Sequence, residues 1–360
     1  MANTLILRYS RIGDAIIPIP LIYALAIKYP EDNFTILSHS LLEPLFKAMP
    51  ENVTFVPMIS KGEGFLRGPR FILKRLLFYR KLRQLAFDKI AVLQYDTFSK
   101  KLLKNVGSGT QVAISDELEF RDINRLKKAN FGNLSMTRIY KGIFNELGYD
   151  NLDPEFDSLR FKNESISDIY SMLDIAEDDK VIAIAPFSKE KQKIYPLDRM
   201  KEVAGYFAGK KKCKVLILGG GQKEENVVEE WRQEYPQIIS VINKFSFADE
   251  LRLIAHANIV LSMDSANLHI ASLLKAPTVS IWGATHPLAG YYTPQKNTIY
   301  KTVIKNCDCQ PCSIVGSAPC TQAQQMKCMD IAPSLVINAI TELLEYQYRL
   351  EAVEKEVVHN

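Results

Sequence analysis

Ile259-Val260-Leu261-Ser262-Met263-Asp264-Ser265-Ala266-Asn267-Leu268-His269 is the stretch whose reading decides the fold. Its first five residues form a short apolar run that reads as a strand buried on both faces, and Ile270-Ala271-Ser272-Leu273-Leu274 continues as helix. Asp264 to Ala266 therefore opens a helix at the carboxyl end of a parallel strand, where open α/β sheets bind their ligands. Unpaired backbone N–H groups and the positive end of the helix dipole meet there, which suits a diphosphate. Ser10-Arg11-Ile12-Gly13-Asp14 repeats the arrangement after a strand at Thr4–Tyr9, but sets a carboxylate where a phosphate is not wanted.

Outward from these two points, short apolar runs alternate with helix-period segments, the βαβ signature of parallel sheets covered on both faces. Strands are expected at 4–9, 34–38, 53–56, 89–95 and 111–114, then at 181–185, 214–218, 238–242, 259–263 and 278–281. Helices are expected at Ala15–Tyr29, Leu197–Ala208, Lys223–Glu234 and Ala248–His256. The stretch Gly148–Ser167 follows neither period and reads as a hinge. The division expected is residues 1–160, residues 161–332, and a last amphipathic helix within 333–360, long enough to pack back across the hinge. Two nucleotide-type α/β domains with a cleft between them follow from this pattern.

At 360 residues the chain has length for two cores, and 47% hydrophobic residues with mixed charge describe an ordinary globular protein. A net charge of +4, with no basic arm and no aromatic ribonucleoprotein pattern, gives no reason to expect a nucleic-acid partner. The first strand starts at once, without a charged leader or signal-length apolar segment, and no run reaches membrane-spanning length. The compartment expected is the cytoplasm, with reduced cysteines.

Several side chains carry both a chemical and a plain reading. Gly219-Gly220-Gly221 follows a strand and precedes a helix, a place for nucleotide to approach backbone and equally a tight turn. Glu224 just beyond can accept from ribose hydroxyls or simply favour a helix first turn. Lys189, Lys191 and Lys193 make a basic loop that can neutralise phosphate, or be solvated; Lys193 stands apart because Tyr195-Pro196 fixes the chain's exit. Asp14 can serve chemistry or cap the helix after it. His269 can bond a phosphate or satisfy a neighbour.

Arg67, Arg70, Lys74 and Lys81 fall on one helical stripe, interleaved with Phe71, Leu73, Leu77 and Phe78. Such a segment suits an anionic lipid surface or phosphorylated acceptor, or is a solvated outer face. Cys307, Cys309, Cys312, Cys320 and Cys328 crowd one segment with a single Cys-x-x-Cys; a tetrahedral zinc site and a thiol-rich packing loop both stay open, and no metal ligand is assigned. No Asp-x-Asp, His-Glu-x-x-His or P-loop lysine occurs, which argues against a metal-dependent nucleotide mechanism.

The order and spacing of Arg8-Tyr9-Ser10-Arg11-Ile12-Gly13-Asp14, Lys193-Ile194-Tyr195-Pro196, Asp264 to His269 and Ile281-Trp282-Gly283-Ala284-Thr285-His286-Pro287 resemble the lipopolysaccharide heptosyltransferases, glycosyltransferase family 9. The segment ending Cys328-Met329-Asp330-Ile331 is also similar to many members. The resemblance implies a GT-B fold, two Rossmann-like parallel-sheet domains facing a central cleft, the first binding acceptor and the second the nucleotide sugar. It implies inverting, metal-independent transfer of heptose from ADP-heptose to the inner core on a lipid A-linked acceptor, with no cofactor. The enzyme is then peripheral at the cytoplasmic face of the inner membrane. Residue by residue, Asp14 matches the base and Lys193 the lysine on the donor phosphates. Ser188 falls where a hydroxyl bonds the diphosphate, Glu224 matches the ribose acid and Phe245 the adenine contact. Asp264 faces the transferred sugar; Ser265, Ala266 and His269 complete the pocket. Ala266 departs from the family's usual glycine and Tyr195 from its tryptophan. The alternatives are a GT-B enzyme for another nucleotide sugar, a sugar-nucleotide epimerase, and a non-catalytic nucleotide-binding protein of this fold.

Overall fold

The structure, a computed structural model, describes residues 1–58, 69–107, 109–114, 135–292, 294–320 and 326–358. These residues divide into two compact units, 1–114 with 135–156, and 157–358.

The first unit is built on a parallel sheet of β1 (Asn3–Leu7), β2 (Asn33–Ser38), β3 (Val53–Pro57), β4 (Lys89–Val92) and β5 (Thr110–Ala113), in the order β3-β2-β1-β4-β5. Leu5, Leu7, Leu37, Ile90 and Val92 project from its central strands into one core with Leu82 and Leu102 from covering helices. Each such buried side chain contributes about 1.5–3 kcal/mol. The helix expected over 15–29 forms as two pieces, Ile12–Ile16 and Ile19–Lys28. Pro18 and Pro20 both lack an N–H, so the ladder cannot run through them; the second helix restarts with Pro20 in its first turn, where no N–H is needed.

The second unit holds β6 (Lys180–Ala185), β7 (Cys213–Ile217), β8 (Ile239–Ser240), β9 (Ile259–Met263), β10 (Thr278–Trp282) and β11 (Tyr300–Ile304), all parallel, in the order β11-β10-β9-β6-β7-β8. Strands β6, β9 and β10 are buried along nearly their whole length, which explains their largely apolar sequence. β11 is an additional strand at the sheet's edge. The helix Pro333–Val358 packs on the helix Leu197–Ala208 and over β9, β10 and β11. Val336, Ala339, Ile340 and Leu343, spaced for one helix face, join the core there.

Both sheets reverse direction once. In the first, β2 and β3 extend to one side of β1, and β4 and β5 to the other. In the second, β7 and β8 lie to one side of β6, and β9 to β11 to the other. The crevices beyond the carboxyl ends of β1/β4 and of β6/β9 are thus the two topological switch points, where loops part and leave room for ligand.

Candidate functional site

In the second unit the loops after β6 and β9 place Lys193 and Asp264 at the switch point. Lys193 ends a short 3-10 turn, Lys191–Lys193, and its Nζ lies 2.7 Å from Asp264 Oδ2. Their side chains are only 13% and 8% exposed, so the pair is largely withdrawn from water. His269 Nε2 stands 3.9 Å from the other oxygen of Asp264. Lys189 and Lys191 are exposed, in keeping with solvated surface charges; of the three loop lysines, Lys193 is the one turned inward.

Behind the pair, the helix Ala266–Leu273 begins with Ser265 as N-cap. The Ser265 hydroxyl does not cap it. It meets the Ser262 hydroxyl at 3.0 Å instead, leaving the first-turn N–H groups without a side-chain acceptor. Ala266 sits at the first helical position, outside the residues with positive φ, so its methyl carries no backbone strain.

The neighbouring strands supply the rest of this edge. After β7, the Gly220 N–H donates to Glu224 Oε2 at 2.7 Å, so this carboxylate folds back on the glycine loop. A Cβ at Gly219 would come within 2.7 Å of that oxygen and 3.0 Å of Ile242 and Phe187, so a side chain there would displace the Glu224 carboxylate from the loop. Phe245 follows β8, and Ser188 follows β6; both are half-buried.

Lys193 is seated by residues whose role the sequence did not reveal. Gly316, at φ +77°, lies against its stem: a Cβ there would stand 2.6 Å from Lys193 Cε and 2.8 Å from Cγ. The Ala284 N–H donates to the Gln192 carbonyl at 3.4 Å, and the Cys312 N–H to the Ala284 carbonyl at 2.9 Å, tying the cysteine segment to the lysine turn. Tyr195, fully buried, donates its hydroxyl to the Ile331 carbonyl at 2.7 Å, and burial pushes its pKa up to about 12. A valine-glycine pair among cysteines gives no signal for such a contact; only the fold brings it to position 193.

All six cysteines are free. Burial pushes Cys312 up to about 12, with Cys309 next to it adding to the effect, and pushes Cys328 up to about 11. Among the described residues no group of three or more His, Cys, Asp or Glu is arranged to hold a metal ion.

In the first unit, Asp14 lies in the first turn of the helix Ile12–Ile16, whose N-cap is Arg11. It does not cap the helix. Its Oδ2 accepts from Arg8 Nη2 at 2.9 Å, with side chains 16% and 9% exposed. Arg67 falls outside the described residues. Arg70 and Lys74 lie on the helix Pro69–Gln84, but their side chains are likewise outside the description; Lys81 on the same helix is exposed.

The family model for glycosyltransferase family 9 (heptosyltransferase) matches residues 75–320, more than half of the chain. The chain belongs to this family. As a family 9 glycosyltransferase it is 22% identical over 372 residues to lipooligosaccharide heptosyltransferase 2 of Haemophilus influenzae, spanning 95% of this chain and 99% of that relative. The relative of the same name from Campylobacter jejuni serotype O:6 is also 22% identical, over 340 residues, 92% of this chain and 96% of that one. Among solved structures, E. coli ADP-heptose lps heptosyltransferase II superposes with a TM-score of 0.70 at 18% identity, over 97% of this chain and 100% of that one. A family 9 glycosyl transferase from Veillonella parvula gives 0.70 at 17% identity, over 96% and 97%. Two parallel-sheet α/β domains are therefore the family 9 fold, and the enzyme class is glycosyl transfer.

Proposed function

We propose that this family 9 enzyme moves a heptose from ADP-heptose to the lipopolysaccharide inner core on a lipid A-linked acceptor, inverting the anomeric carbon and requiring no metal or cofactor. The observation that carries the reading is the buried Lys193 ammonium at the switch point, beside a helix start whose Ala266 and Asn267 N–H groups are not taken by the cap's side chain. A donor diphosphate takes the place of Asp264 on that ammonium and accepts from the helix N–H groups. These donors oppose charge that grows as ADP leaves, the part otherwise played by a metal ion. Asp264, freed from Lys193, faces the transferred sugar. Glu224 accepts from the ribose hydroxyls, Phe245 lies against adenine, and Ser188 and His269 bond the diphosphate. Asp14 takes the proton of the acceptor hydroxyl as it attacks.

The acceptor's lipid places the enzyme at the cytoplasmic face of the inner membrane, as a peripheral protein. Leu73, Leu76 and Leu77 are exposed on the helix Pro69–Gln84, which contains no acidic residue and also exposes Arg80, Lys81 and Arg83. That composition suits an anionic bilayer surface. No helix among the described residues is long and apolar enough to cross a membrane. Flotation with anionic and zwitterionic vesicles tests this: binding to the anionic ones that weakens with salt supports it, and no binding to either removes it.

The reaction itself is tested by transfer from ADP-, UDP-, GDP- and CMP-sugars to a lipid A-linked core acceptor in excess EDTA. Transfer from ADP-heptose alone is the expected result. Preference for a UDP or GDP sugar replaces the donor, and acceptor-independent conversion of the donor indicates an epimerase. Binding without transfer or conversion marks a non-catalytic protein. Loss in EDTA that added metal restores returns the cysteines and acids to consideration as ligands.

A further inference from the structure

The switch point of the first unit carries a side-chain network that fixes Asp14 from the loop after β4. Arg8 is buried, and four oxygens of described residues accept from its guanidinium. Nη2 donates to Asp14 Oδ2 at 2.9 Å, Nη1 to Gln94 Oε1 at 2.6 Å and to the Ser10 carbonyl at 3.3 Å, and Nε to the Tyr140 hydroxyl at 3.2 Å. Gln94, also buried, cannot turn over. Its Oε1 also accepts the Ser10 N–H at 2.9 Å, while its Nε2 donates to Asp96 Oδ2 at 2.7 Å. Asp96 is itself pinned: Oδ1 accepts from the Tyr9 hydroxyl at 2.6 Å and from the N–H groups of Phe98 and Ser99 at 2.8 and 2.9 Å.

The chain Asp96, Gln94, Arg8, Asp14 thus crosses from the end of β4 to the loop after β1. It ends on one oxygen of Asp14. Among the described residues Arg8 is the one partner of Asp14, so Oδ1 has none. A carboxylate held through one oxygen, with the other open, is arranged to receive a proton in a set direction. Orientation of this kind is worth much in rate, since a displacement of about 1 Å costs on the order of 10²-fold.

We infer that Arg8 and Gln94 are positioning residues for proton transfer at Asp14: Gln94 aims the guanidinium, and the guanidinium holds Oδ2 so that Oδ1 meets the acceptor hydroxyl. The inference rests on the reading of Asp14 as the base. Both residues belong to the first unit and the donor-binding residues to the second, so their loss should lower kcat and spare donor binding.

The test is a double-mutant cycle between Gln94→Leu and Asp14→Asn, read as kcat, donor KM and ADP affinity on protein checked for folding by its melting curve. Gln94→Leu should lower kcat at least ~10-fold, part of the ~10²–10⁴ attributable to a general base, with donor KM within about two-fold of wild type. Added to Asp14→Asn, it should cost less than about two-fold more, because a residue acting through Asp14 has nothing left to position. Arg8→Lys, which keeps the charge and loses the fork, should reproduce the pattern without emptying the site. Wild-type kcat in both variants overturns the positioning role, and so does a multiplicative loss on the Asp14→Asn background or a loss that follows only the folded fraction. Full transfer by Asp14→Asn alone overturns the base reading instead, and that single variant tells the two failures apart.

Discussion

Lys193 and Asp264 form an ion pair 2.7 Å long at the second unit's switch point, with little of either side chain in water. Such a pair is weak evidence of stability as a whole, yet removing one member strands the other in a poor environment. Lys193→Ala should therefore destabilise the enzyme by about 3–5 kcal/mol, while Lys193→Met with Asp264→Leu recovers most of that loss. Urea unfolding measures both. The single variant should also bind ADP less tightly, and magnesium should not restore it.

Gly316→Ala addresses the seat of the same lysine. The new methyl meets Lys193 Cε, and φ +77° suits a side chain poorly, at a cost of about 1–2 kcal/mol. Donor KM should rise while acceptor KM holds. A variant with unchanged donor KM shows that the ammonium reaches its place without this contact.

Asp14→Asn keeps an oxygen for Arg8 and removes the negative charge. The melting temperature and ADP affinity should change little, and transfer should fall ~10²–10⁴-fold. Steady-state transfer with saturating donor measures it.

Glu250 gives a pH signature independent of the reaction. Burial pushes its carboxyl from 4.5 up to about 7 in the folded protein. The folded state then holds a proton that the unfolded chain releases, so this contribution to stability is full below the unfolded pKa and declines as pH rises through the folded one. Glu250→Gln should be nearly neutral at acid pH and stabilising above pH ~7.5. Unfolding curves across that range check the sign; equal effects at both ends show that Glu250 titrates normally.

The central strands were readable because parallel strands buried on both faces leave long apolar runs, as in Ile259–Met263. The same logic hid β11. Tyr300–Ile304 lies at the sheet edge, half-exposed, and its mixed sequence lacks that signature. Local turn chemistry singles out Lys193 and Asp264, the family resemblance supplies their roles, and the fold brings the two side chains into contact. Gln94 escaped notice for the opposite reason. Its apolar neighbours read as strand, and its partner Arg8 is 86 residues away in the chain, a contact that no local pattern encodes. The split at Pro18 was available to inspection: two prolines in three residues outweigh the helical period around them.

The hydrogen bond from Tyr195 to the Ile331 carbonyl joins positions 136 residues apart, one just past Lys193, the other just before the last helix. Tryptophan, which the resemblance leads one to expect at this place, offers a single N–H fixed in the ring plane at a different reach from a phenol. Exchanging one aromatic for the other moves the donor relative to that carbonyl. Over evolutionary time the two sites are thus expected to drift as a linked pair, and a homologue that exchanges the aromatic should carry a compensating change in the turn that precedes its C-terminal helix.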